Sequence, residues 1–126
     1  MWLVDKKESN IIPYISVLEE IAIININKSG GGSNTPSGKL DTEYKRDGVK
    51  DFLFKQIEFI NPDIIINAHL VSQFFCDQVG TNEIIVTKGA RYSKNHNRLL
   101  IWTRHPNRAH EISYCNSIVK IVNDNY

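Results

Sequence analysis

Three stretches of the chain are apolar with little interruption, and between them apolar positions recur at helical spacing. Glu19–Lys28, EEIAIININK, is a β-branched run that reads as a strand buried on both faces, with its core near Ile21–Asn27. Ahead of it, Pro13 can open a short helix with Tyr14, Val17 and Leu18 facing inward. Ser29–Gly38, SGGGSNTPSG, holds no regular element and is a loop. From about Thr42 to Ile60 the positions Val49, Phe52, Leu53, Gln56, Ile57 and Ile60 fall on one helical stripe. Asp41 is its expected N-cap, Gly48 its weak point and Asn61-Pro62 its end. Asp63–His69, DIIINAH, is the second strand. A helix from Leu70 to Val79 follows, burying Val71, Phe74 and Phe75 and stopped by Gly80. Ile84–Thr87 can be a short edge strand before a polar loop. Arg98–Arg104, RLLIWTR, is the third strong strand, its core near Leu99–Thr103. Asn107 can cap a last helix with Ile112, Cys115, Ile118, Val119 and Val122 on its inner stripe.

Strands alternating with helices predict an α/β fold: a three-layer sandwich around a short, mostly parallel central sheet. In such sheets ligands bind beyond the carboxyl ends of the strands. Three segments are expected there: Asn25–Lys28 with its glycine loop, Asn67–His69, and Arg104–Arg108. No internal repeat or linker divides the 126 residues, so one domain over 1–126 is expected.

Composition sharpens this picture in one respect. The chain is 41% hydrophobic and 23% charged, which is ordinary for a soluble domain. No apolar run has membrane-spanning length, and MWLVDKKESN lacks the features of a secretory leader. Cys76 and Cys115 have no CxxC or Cys/His spacing. They read as a buried thiol pair in a reducing, cytoplasmic setting. The net charge of +1 conceals a polarity: residues 1–83 carry eight Lys/Arg against twelve Asp/Glu, and residues 84–126 seven against two. Between Thr87 and His110 stand Lys88, Arg91, Lys94, Arg98, Arg104 and Arg108 with no acid among them. Such a run is either a solvated basic loop or an anion footprint for phosphate or nucleic acid.

Candidate chemistry concentrates at the expected rim. Asn25 and Asn27 place amides inside an apolar run. Either they bond neighbouring backbone or they read the edge of a base or another cyclic amide. Gly30, Gly31 and Gly32 after Lys28 can form a backbone nest for phosphate, although neither GxxxxGK[ST] nor GxGxxG is present. Pro106 blocks continuation of the third strand and holds His105 at its end, where an imidazole can stabilise an anion or move a proton. His105 and His110 are five apart and share no helical face. His69 and His96 lack spaced partners, so no metal site is expected. No GxSxG elbow is present.

The ordered set of a strand ending in Asn, a strand introduced by NPDIII and a strand ending in His-Pro resembles the uracil-DNA glycosylase superfamily. More narrowly, IAIININKSGGGSNTP followed by DFLFKQIEFINPDIII is similar to small bacterial glycosylase-like proteins of that superfamily. The resemblance runs from about residue 15 to residue 123. It implies hydrolysis of an N-glycosidic bond in DNA with no cofactor. Asn25 or Asn27 would read the flipped base, and His105 would stabilise the departing base. Lys28, Gly30, Gly31, Gly32, Arg104, Asn107 and Arg108 would lie against DNA. Two departures accompany it. Asn107 and Arg108 follow His105-Pro106 where the superfamily often has Ser, and the loop that positions water has no counterpart in the first residues. The chain therefore resembles the C-terminal two-thirds of the domain, as if shortened at its N-terminus. The alternative expectation is a non-catalytic nucleotide- or nucleic-acid-binding module of the same fold.

Overall fold

The computed structural model describes residues 20–26, 38–68, 72–95, 98–105 and 111–126. In chain order its elements are α1 (Lys39–Tyr44), α2 (Val49–Ile60), β1 (Ile64–Ala68), α3 (Ser72–Val79), β2 (Ile85–Thr87), β3 (Ala90–Asn95), β4 (Arg98–Thr103) and α4 (Glu111–Asn125).

The single helix expected over Thr42–Ile60 is two. Gly48 takes φ +81°, a left-handed conformation that glycine adopts without a Cβ penalty, and the chain turns there before α2 begins. Asp41 is not the N-cap: Gly38 occupies that place, and Asp41 lies in the first turn of α1, where its charge complements the helix dipole. Asn61 closes α2 in the left-handed conformation, its N–H donating to the Ile57 carbonyl, and Pro62 follows.

The sheet has the order β1-β4-β3-β2. β1 runs parallel to β4, with Ile64 opposite Leu99 and Ala68 opposite Thr103. The other two pairings, β3 with β4 and β2 with β3, are antiparallel. The sheet is therefore mixed and open, and the expectation of a mostly parallel sheet is corrected. The reason is connection length. Lys88-Gly89 alone joins β2 to β3, and two positions separate β3 from β4. Neither span can hold a crossover, so both must reverse the chain. β3 occupies the stretch expected to be a polar loop.

The first expected strand also differs. Residues 21–25 belong to no regular element, and Ile21 and Ile23 are 55% and 87% exposed. Ile24 and Ile26 instead pack on a cluster of Tyr44, Val49, Leu53, Ile57 and Phe74. A β-branched run favours extended backbone, but it becomes a strand only where a neighbour supplies hydrogen bonds. Residue 27 lies outside the described residues, as do the short helix expected after Pro13 and the loop Ser29–Ser37.

Helices lie against both faces of the sheet. On one face α3 contributes Phe75 and Val79 to a cluster with Leu100, Ile65 and Trp102. On the other, Ile118, Ile121 and Val122 of α4 pack on Ile64, Ala90, Tyr92, Leu99 and Ile101. The inner stripe of α4 is rotated from the expected one: Ile112, Cys115 and Val119 are exposed. Phe52 and Ile60 of α2 are exposed too. Several registers of a helix satisfy the same spacing, and the sheet selects one of them. Cys76 is also exposed, so the expected buried thiol pair is corrected to two free surface thiols.

Candidate functional site

Because β1 and β4 are parallel neighbours, their carboxyl ends, Ala68 and Thr103, lie at one rim of the sheet. At that rim β4 hands on to Arg104, which is exposed, and His105, which is half-buried. The turn is pinned by Thr103, whose Oγ1 donates to the Arg104 carbonyl and lies 3.0 Å from the Tyr114 hydroxyl of α4. Asn67, one position before the end of β1, sits beside Trp102 in register. Its Nδ2 donates to Gln78 Oε1 of α3 at 3.0 Å. Trp102 stacks on Phe75 with ring centroids 5.9 Å apart, and the Arg91 guanidinium lies 4.9 Å from the indole ring centroid.

The basic residues of the second half do not share one surface. Alternation along β3 puts Arg91 on the α3 face beside Trp102 and Lys94 on the α4 face. Lys94 lies over the Tyr126 ring and donates to the Asn125 carbonyl. Arg98 opens β4 at the far end of the sheet. It donates to the Pro62 carbonyl through Nε and to Asn61 Oδ1 through an Nη, bracing the entry to β1. Of the described basic residues between Thr87 and His110, Arg104 stands at the rim with His105, Lys88 lies in the β2–β3 hairpin at that same end of the sheet, and Arg91 lies inward of Arg104.

Other expected site residues fare as follows. Asn25 is exposed and outside any strand. Asn27, Lys28, Gly30, Gly31, Gly32, Asn107 and Arg108 lie outside the described residues. Among the described residues no group of His, Cys, Asp or Glu could hold a metal ion, and no helix is long and apolar enough to cross a membrane.

The structure also assembles a polar cluster that sequence reasoning missed. Asp77 of α3 accepts from the Tyr44 hydroxyl at 2.6 Å and from Gln73 Nε2 at 2.8 Å, and pairs with Lys50 at 2.9 Å. Burial alone would raise its pKa. The hydrogen bonds from Tyr44, Gln73 and Lys50, with the charge of Lys50, outweigh that and hold it below the ordinary value. The same arrangement drives Tyr44 well above its usual range, through burial first and then the Asp77 hydrogen bond and charge. Only the Gln73–Asp77 pair, four apart, had a signal in the sequence. Tyr44 and Lys50 reach Asp77 through tertiary packing. No protein-family model, curated protein or solved structure matches the chain.

Proposed function

We propose that this chain is a DNA-binding protein of uracil-DNA glycosylase type, a three-layer α/β domain that meets DNA at the rim beyond β1 and β4 and excises uracil slowly or not at all. The observation that carries the reading is the parallel pairing of β1 with β4, which brings Arg104 and His105 out beside the end of β1. The NPDIII motif leads into β1, and His105 follows closely on the end of β4. In this reading Arg104, with Asn107 and Arg108 beyond it, contacts the phosphodiester backbone, and His105 faces an extruded base. Cleavage would break the C1′–N bond, leave the electron pair on the base, and add water at C1′. A donor from His105 would stabilise the anionic base, an effect worth about 10²–10³ in rate for a single well-placed donor. No acid is assigned here to orient that water, which is why binding outranks turnover in this reading.

The test is a titration of fluorescein-labelled, uracil-containing single-stranded DNA at several salt concentrations, with alkali cleavage of the same oligonucleotide reporting excision. Binding should weaken steeply as salt rises. Arg104→Ala should weaken binding and lower the salt slope by about 1, whereas Lys94→Ala, on the α4 face, should leave the slope unchanged. Any excision should disappear in His105→Ala. Salt-independent binding, no binding at low salt, or excision untouched by His105→Ala would each refute the assignment.

A further inference from the structure

α2 carries two apolar stripes, and the core takes up one of them. Val49, Leu53 and Ile57 are buried in a cluster with Ile26, Tyr44 and Phe74. At about 100° per residue, Phe52, Gln56 and Phe59 form a neighbouring stripe on the same helix. Phe59 is 91% exposed, Phe52 51%, and Ile60 at the end of the helix 41%. A single exposed ring is ordinary, but two rings seven positions apart make an apolar strip about 10 Å long. Charges run beside it. Asp51, Lys55 and Glu58 are exposed along one flank of the strip, and none of the three makes an ion pair among the described residues.

We propose that this strip is a self-association surface, on which α2 of a second copy packs antiparallel about a two-fold axis. The axis passes between Lys55 and Gln56. Phe52 then meets Phe59 of the second copy, and the reverse contact forms at the other end. In an antiparallel pair of this symmetry, like flanks face each other. Lys55 therefore stands beside Glu58 of the second copy, and that pair too occurs twice. The charges are what favour a second copy over another partner. A flank carrying both signs matches itself across a two-fold axis, whereas a surface of one sign would leave either Lys55 or the two acids unmatched. The area agrees. With about 200 Å² to an aromatic side chain, the exposed parts of Phe52 and Phe59 come to roughly 280 Å² per copy. Ile60, Gln56, Lys55 and Glu58 bring this to about 500 Å², and two copies reach the roughly 1,000 Å² that a specific interface needs. The proposal does not rest on the reading of the rim, and its test uses no nucleic acid.

The test is sedimentation equilibrium of the full chain. An interface of this size lies at the weak end, so loading should extend to about 0.5 mM. The mass should rise from one chain to two with concentration and stop there, because a two-fold contact closes on itself. Phe59→Glu, a change at an exposed position, should raise the dissociation constant about a hundredfold, since the substitution enters the interface at both ends. Circular dichroism of that variant at monomer concentrations should match the wild type. Lys55→Glu and Glu58→Lys should each weaken the dimer about tenfold at low salt, and the two together should restore most of the loss. One chain at every concentration would overturn the proposal. So would a dimer indifferent to Phe59→Glu, which would place the contact elsewhere, as on the exposed edge strand β2. A double exchange as weak as either single one would overturn the antiparallel pairing.

Discussion

Phe75→Ala should destabilise the protein by about 3–5 kcal/mol. Phe75 is 2% exposed and ties α3 to the sheet through Val79, Leu100 and the stacked Trp102 ring. Removing the ring opens a cavity between α3 and two strands that hydrogen bonds hold in register, so collapse cannot fill it. It also strips Trp102 of one stacking face, and Asn67 then rests on a displaced α3 through its bond to Gln78. Against a total stability of about 5–15 kcal/mol for an ordinary domain, this is a large fraction. Urea unfolding followed by tryptophan fluorescence should show the midpoint fall with the slope unchanged. A loss under about 1 kcal/mol would mean that α3 does not seal this face of the sheet, because full burial of such a ring is worth more than that.

Asp77→Ala should cost about 2–3 kcal/mol and change the shape of the stability–pH curve. The buried Tyr44 hydroxyl would lose its acceptor and Lys50 its counter-charge. Because the folded-state pKa of Asp77 lies below its ordinary value of 3.8, its contribution is complete above that pH and is lost as pH falls through the depressed folded value. Acid unfolding of the wild type should therefore include a component in that window that Asp77→Asn lacks. Tyr44 works on the other limb. Its folded pKa is raised above 10.0, so its contribution is complete below pH 10.0 and is lost as pH rises through the folded value. Tyr44→Phe should flatten the alkaline limb and leave the acid limb shallower, since Asp77 loses a donor. Thermal melts of the three variants across pH would decide it. Parallel curves for wild type and Asp77→Asn below pH 3.8 would dismiss the cluster as a source of stability.

β1, α3, β4 and α4 were legible in the sequence because each carries an apolar pattern, with boundaries marked by Asn61-Pro62 before β1, Gly80 after α3 and Pro106 after β4. β2 was legible as an edge strand, yet β3 was not. ARYSKN alternates, but its members are charged or small, and burial of Ser93 comes from a hydrogen bond to the Glu83 carbonyl rather than from an apolar side chain. The two-residue Lys88-Gly89 link, with Gly89 at φ +98°, was the missed hairpin signal. Antiparallel pairing then followed, and with it the separation of Arg91, Lys94 and Arg98 that a linear reading of the charges had merged. The rim could be anticipated from the strand–helix order and His105-Pro106. The cluster of Tyr44, Lys50 and Asp77 could not, because these residues share no periodic signal and their meeting depends on where α3 lies beside α1 and α2.

The sheet also sets an order of assembly. β2, β3 and β4 form a meander of near neighbours, and hairpins of this kind close in about 1–10 μs. β1 can join only across a long excursion of chain: the Arg98–Asn61 bond that braces its entry links positions 37 apart. The entropy of closing that excursion must be met before the parallel pair returns any energy. Folding should therefore be gated by β1 docking on a preformed meander. In kinetic terms, Tyr92→Ala in β3 should slow folding with a φ-value near 1, and Ile64→Ala should instead speed unfolding. Equal φ-values at the two sites would show that the parallel seam forms as early as the hairpins.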